Sequence, residues 1–77
     1  MSSKLKLRIR DLREDSDMTQ AQIAKMLNCS QQTYSRYESH KTEIPLEALI
    51  FLADYYDTSV DYLLGITNRR KKYPSDS

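Results

Sequence analysis

An all-α fold, a small domain of five helices, is what this sequence predicts, and three observations carry the prediction. Only one Gly and two Pro occur in 77 residues, and no stretch of strand length alternates apolar with polar residues. Apolar residues instead recur at three- and four-residue spacings in five separate segments. These segments are bounded by residues that cap helices, not by the dipeptides that turn hairpins.

The first helix is predicted over residues 4–15, where Leu5, Ile9 and Leu12 share one face and Leu7 falls off it. The second covers 19–27: Thr19 is an N-cap, Gln22 three residues on completes a capping box, and Ile23, Ala24 and Leu27 face inward. The third covers 30–38, capped by Ser30, with Tyr34 and Tyr37 inward. The fourth covers 45–56; Pro45 suits its first turn, and Leu46, Leu49, Ile50 and Ala53 form its apolar stripe. The fifth is short, 59–64, capped by Ser59 or Thr58, carrying Val60, Leu63 and Leu64 and ended by Gly65. Together these define one domain over residues 1–68, and "RRKKYPSDS", 69–77, follows as a basic, mobile tail.

A chain of this length buries about 60 to 65 % of the surface its unfolded state exposes, which supports one modest core and no large catalytic cleft. The single Cys29 cannot close an internal disulfide. No segment reaches the roughly 20 apolar residues of a membrane span, so a cytoplasmic protein without membrane contact is expected. The net charge of +1 conceals a division along the chain. Residues 1–42 carry eight Lys or Arg against five acids, residues 43–68 carry five acids and no base, and 69–77 carry four bases against one acid. A face built from the first half tolerates a polyanion; one built from the second half does not.

The stretch "TQAQIAKMLNCSQQTYSRYE", 19–38, joins two helices through Asn28 and Cys29 alone. So short a joint needs a residue that accepts the left-handed conformation, and Asn28 is suited to it. Ala24 permits a close crossing. The unit is a helix-turn-helix.

At this point the chain resembles the Cro and phage-repressor-like, or Xre-type, helix-turn-helix proteins. "IRDLRED" is similar to the family's first helix, "TQAQIAKMLNCSQQTYSRYE" to its second and third, and "IPLEALIFLADYYDTSVDYLLG" to its closing pair. The likeness spans residues 4–65 and implies a lambda-repressor-like domain. His40 is a departure, standing where the family usually has Gly, in the loop at 39–42. The resemblance further implies that the third helix enters the DNA major groove while the second crosses the backbone.

The residues present suit that mode. Gln31 and Gln32 open the exposed side of the third helix, and a Gln amide can both donate to and accept from adenine. Arg36, four residues after Gln32, would reach a guanine or a phosphate, or pair with a neighbouring acid. Thr33 and Ser35 offer flanking hydroxyls, Thr33 with a methyl for thymine. Gln20, Lys41 and Thr42 are expected at phosphates. Arg13 and Glu38 match a pair that in phage repressors is partly buried, which implies a structural role.

Enzymatic readings fail on the same residues. His40 and Cys29 are the only members of their kinds and lie in a loop and an inward turn, so no nucleophile finds its base. There is no Gly-rich phosphate loop, no HExxH and no cysteine quartet. Neither a metal nor a cofactor is expected. The expected function is sequence-specific binding of double-stranded DNA, as a homodimer that represses transcription at a two-fold operator. The alternative is a protein-interaction module with a regulatory protein partner, for which Tyr55, Tyr56 and Tyr62 are natural interface residues; with Ile66 they would equally serve the homodimer.

Overall fold

The computed structural model describes residues 7–70. Five helices follow one another: α1 Ile9–Asp15, α2 Gln20–Met26, α3 Gln31–Glu38, α4 Leu46–Tyr55 and α5 Val60–Leu63. Among the described residues there is no strand, and no helix is long and apolar enough to cross a membrane.

Side chains from all five helices meet in one core. Ile9 and Leu12 come from α1, Ile23 and Ala24 from α2, Tyr34 and Tyr37 from α3, Leu49, Leu52 and Ala53 from α4, and Leu63 from α5, with Tyr56 just beyond α4. Ile23, Leu52 and Leu63 are wholly enclosed, and burial of such an aliphatic side chain contributes about 1.5–3 kcal/mol. The capping box foreseen at Thr19 forms in both directions: Gln22 N–H donates to Thr19 Oγ1 at 3.1 Å, and Thr19 N–H donates to Gln22 Oε1 at 2.8 Å. Ser30 and Ser59 cap α3 and α5 in one direction only, each hydroxyl accepting from the amide three residues on, of Thr33 and of Tyr62.

Two elements depart from expectation. The first is α1, which begins at Ile9, whereas apolar spacing had placed its start at residue 4; Leu5 lies outside the described residues, and Leu7 and Arg8 are not helical. The cause is tertiary. Arg8 N–H donates to the Leu63 carbonyl at 2.9 Å. Its guanidinium donates to the carbonyls of Tyr62 and Thr67 at 2.7 and 2.9 Å and to Asn68 Oδ1 at 2.8 Å, and lies 4.3 Å over the Tyr62 ring. The chain entering α1 is thus fastened to the chain leaving α5, and Leu7 packs against the core although it stands off the helical stripe. The same clamp orders residues 67 and 68, and the buried Thr58 hydroxyl donates to the Arg70 carbonyl. The tail therefore starts attached to the domain; residues 71–77 lie outside the described residues.

The second is the phase of α4. Pro45 is its N-cap and lies outside the first turn. The buried stripe is Leu49, Leu52, Ala53 and then Tyr56, whereas Leu46 and Ile50 are 65 and 53 % exposed. The helix is apolar on most of its circumference, so periodicity alone could not decide which face turns inward.

Each helix ends on a residue with positive φ: Asp17 at 58°, Asn28 at 62°, His40 at 64°, Asp57 at 57° and Gly65 at 79°. The amide after each reaches five residues back, as from Met18 to Arg13, Cys29 to Ala24, Lys41 to Arg36, Thr58 to Ala53 and Ile66 to Asp61, at 2.8–3.1 Å. These are Schellman closures, and they set the angle at which every helix hands over to the next. Asn28 takes the conformation foreseen for it. His40 takes the same conformation where a glycine was expected, so the loop keeps the geometry despite the departure in sequence.

Candidate nucleic-acid interface

The second and third helices present one exposed polar surface, and it is held from behind. On α3 the buried Tyr34 and Tyr37 face inward, their rings edge to face at 6.3 Å. Gln32 and Arg36, one turn apart, project from the opposite side, with Gln31 beside them; all three are exposed. Thr33 and Ser35 are half-buried at the flanks. The Ser30 hydroxyl accepts from Thr33 N–H at 3.0 Å and donates to Thr33 Oγ1 at 2.9 Å, so the Thr33 hydroxyl serves the cap. Ser35 turns toward an open polar groove shared with Arg10, Arg13, Gln20, Glu38 and Ser39.

Beyond α3, the amides of Lys41 and Thr42 both donate to the Arg36 carbonyl, at 2.9 and 3.4 Å. Both residues are exposed. Their position is therefore fixed by the end of the same helix that carries Gln32.

The orientation of α3 against α1 and α2 rests on one carboxylate. Arg13 Nε and Nη2 donate to the two oxygens of Glu38 at 2.7 and 3.2 Å, and Arg13 Nη1 donates to the Met18 carbonyl at 2.9 Å. The side chains are only 12 and 5 % exposed. Gln20 Nε2 adds a third donor to Glu38 at 3.0 Å. Burial pushes the Glu38 pKa up, but its polar neighbours, Arg13 first and then the Tyr34 hydroxyl and Gln20, hold it below the usual carboxylate range. The same contact raises the Arg13 pKa. The Tyr34 hydroxyl lies beside Glu38 without completing a hydrogen bond of ordinary geometry. Its own pKa is driven well above the phenol range, by burial and then by the carboxylate.

Gln20 is where the sequence reading was incomplete. It was assigned to phosphate, yet its side-chain amide is committed to Glu38, and it is half-buried. Its backbone N–H, in the first turn of α2, has no carbonyl four residues back within the helix and remains suited to an anion. A signal existed in the spacing: Gln20 and Glu38 stand at the outer ends of two helices joined by a short turn, each within ten residues of Asn28. The half-buried Cys29 closes that turn, and burial raises its thiol pKa.

Comparison with known proteins identifies the same helix-turn-helix unit. A family model described as "Helix-turn-helix" matches residues 9–63, from the start of α1 to the end of α5. Three similar curated proteins come from Bacillus subtilis (strain 168). The uncharacterized HTH-type transcriptional regulator YobD is 39 % identical over 61 residues, covering 79 % of this chain and 54 % of YobD. The HTH-type transcriptional regulator AnsR is 36 % identical over 67 residues, covering 87 and 58 %. The HTH-type transcriptional regulator ImmR is 32 % identical over 69 residues, covering 90 and 54 %. The chain thus spans little more than half the length of these relatives. No solved structure matches it significantly. With the five helices, their tight second joint and the match across all of them, the chain belongs to the Cro/C1-type, or Xre, helix-turn-helix family.

Proposed function

We propose that this protein is a transcriptional regulator that binds double-stranded DNA in the major groove through α3. The observation that carries the reading is the row formed by Gln31, Gln32 and Arg36, exposed on a helix whose other side is locked by Tyr34, Tyr37 and the Glu38 network. Rigid backing of this kind lets a Gln amide or an Arg fork meet a base edge without losing its orientation. Gln32 and Gln31 read adenine. Arg36 reads guanine or neutralises a phosphate, and the Thr33 methyl meets thymine. Ser35 lies at the edge of this contact. Lys41, Thr42 and the Gln20 backbone amide hold the flanking phosphates and so fix the register.

Each domain offers one recognition helix, which reads too few base pairs to define a site in a genome. A homodimer on a two-fold operator supplies the second, and repression follows from excluding polymerase. The names of the relatives, all transcriptional regulators, support this reading.

The test is Gln32→Ala. It should lose about 1–3 kcal/mol on a selected operator while non-specific affinity and the unfolding midpoint stay unchanged. Equal losses on specific and non-specific DNA would overturn the base-reading role.

A further inference from the structure

The face of α4 turned away from the core has no task in the reading above. Leu46, Ile50, Phe51 and Tyr55 are 65, 53, 41 and 47 % exposed along it. On a helix Leu46 and Ile50 form one row and Phe51 and Tyr55 another, each at i and i+4, with the exposed Glu47 between them. The inner side of the helix already fills the core with Leu49, Leu52 and Ala53, so folding does not require this outer face.

It is also shaped. The Phe51 and Tyr55 rings stack at 6.4 Å with 7° between their planes, and the Tyr55 hydroxyl is tied to Met18 Sδ at 3.2 Å. Phe51 and Glu47 form one wall of a groove of about 240 Å³ whose other wall is Met26, Leu27 and Cys29 at the helix-turn-helix joint. Two ordered aromatics beside an apolar groove are the arrangement that receives an amphipathic helix.

Charge selects the occupant. Glu47 stands inside the patch, Glu43 precedes it, and no Lys or Arg occurs from residue 43 to 68. DNA is repelled there. A second copy on the same face would bring together two patches that each carry Glu43 and Glu47 and draw no Lys or Arg from residues 43–68, a like-charge arrangement that costs affinity. We infer that this face docks a different protein, through an amphipathic helix of about three turns that seats a large apolar side chain in the groove and carries Lys or Arg beside Glu47 and Glu43. Three turns follow from the distance between Leu46 and Tyr55, about 14 Å at 1.5 Å per residue. The surface contains none of the base-reading residues Gln31, Gln32 and Arg36.

The inference does not rest on the DNA reading, and its test is separate. A displayed library of 14-residue peptides with one apolar helical stripe is selected on the full chain, one half of the library with Lys and Arg flanking the stripe and the other half with Asp and Glu. Basic-flanked peptides should be enriched, bind more weakly as salt rises, and lose at least tenfold affinity on Phe51→Ala and on Glu47→Lys. Ile50→Lys is the second apolar probe, since its side chain is half exposed and outside the core. Circular dichroism melting and operator binding of each variant should match the parent. Enrichment of acidic or uncharged peptides, no enrichment, or affinity unaltered by Phe51→Ala and Ile50→Lys would overturn the proposal. So would sedimentation of the chain as a dimer that Ile50→Lys dissociates, which would assign the face to a second copy.

Discussion

Glu38 couples three parts of the molecule through one carboxylate, and the chemistry of that residue is legible only in part from the sequence. Arg13 and Glu38 stand 25 positions apart and were linked by resemblance; the Gln20 donor and the Met18 carbonyl that completes the Arg13 contacts emerge from the folded geometry. Removing the carboxylate by Glu38→Ala leaves Arg13 buried without its partner and should cost about 3–5 kcal/mol, against under about 1 kcal/mol had the pair been exposed. Equilibrium urea unfolding checks the difference. The pH dependence follows from the direction of the shift. A folded carboxylate held below its unfolded value, near 4.3, adds stability that is present above that value and lost as pH falls through the lower folded one. Urea midpoints should therefore fall on acidification below about pH 4, and Glu38→Gln should flatten that fall. The buried Tyr56 hydroxyl is the opposite case: it has no hydrogen-bond partner, and burial first, with Tyr55 next, pushes its pKa up to about 12. Tyr56→Phe removes an unsatisfied polar group while keeping the ring, so a gain of up to about 1 kcal/mol is expected in thermal unfolding. A loss of that size would mean that the hydroxyl is satisfied in solution.

At the scale of the element, helix ends were easier to read than helix faces. Thr19, Ser30 and Ser59 announce α2, α3 and α5 because capping is a local hydrogen bond that sequence neighbours complete by themselves. The C-terminal closures are local too, yet four of the five use Asp, Asn or His in a conformation that favours Gly, and only Asn28 and Gly65 stand out in the sequence. His40 is the bulkiest of these, and its Cβ carries a steric cost in the left-handed region that Gly does not. His40→Gly should raise stability by about 1 kcal/mol in urea unfolding and leave operator binding intact. Reduced operator affinity would instead give the imidazole a contact on DNA. The face of α4 was misread for a different reason. With apolar residues on most sides, its inward face is chosen by the helices packed against it, and these chose Leu52 and Tyr56 over Leu46 and Ile50.

The whole molecule is expected to act in pairs. A two-fold dimer holding its α3 helices about 34 Å apart matches half-sites one turn of DNA apart. Inserting five base pairs between them rotates one by about half a turn and should abolish cooperative binding, which a gel-shift titration of the two operators reads directly. The surface available for that contact is narrower than the tyrosines suggested. Tyr56 is buried and Tyr62 lies half-buried under Arg8, which leaves the exposed Ile66 and the half-buried Val60 and Leu64 around α5. The all-α class, the five segments, the helix-turn-helix joint at Asn28 and the identity of the side chains on α3 are all legible in the chain alone, because each follows from spacing and capping within a few residues. Where α1 begins, which side of α4 is buried, the bond from Gln20 to Glu38 and the fastening of the two ends of the domain by Arg8 are set by packing between distant segments. Those outcomes depend on groups tens of residues apart competing for the same donors and the same buried space, and no local pattern carries that information.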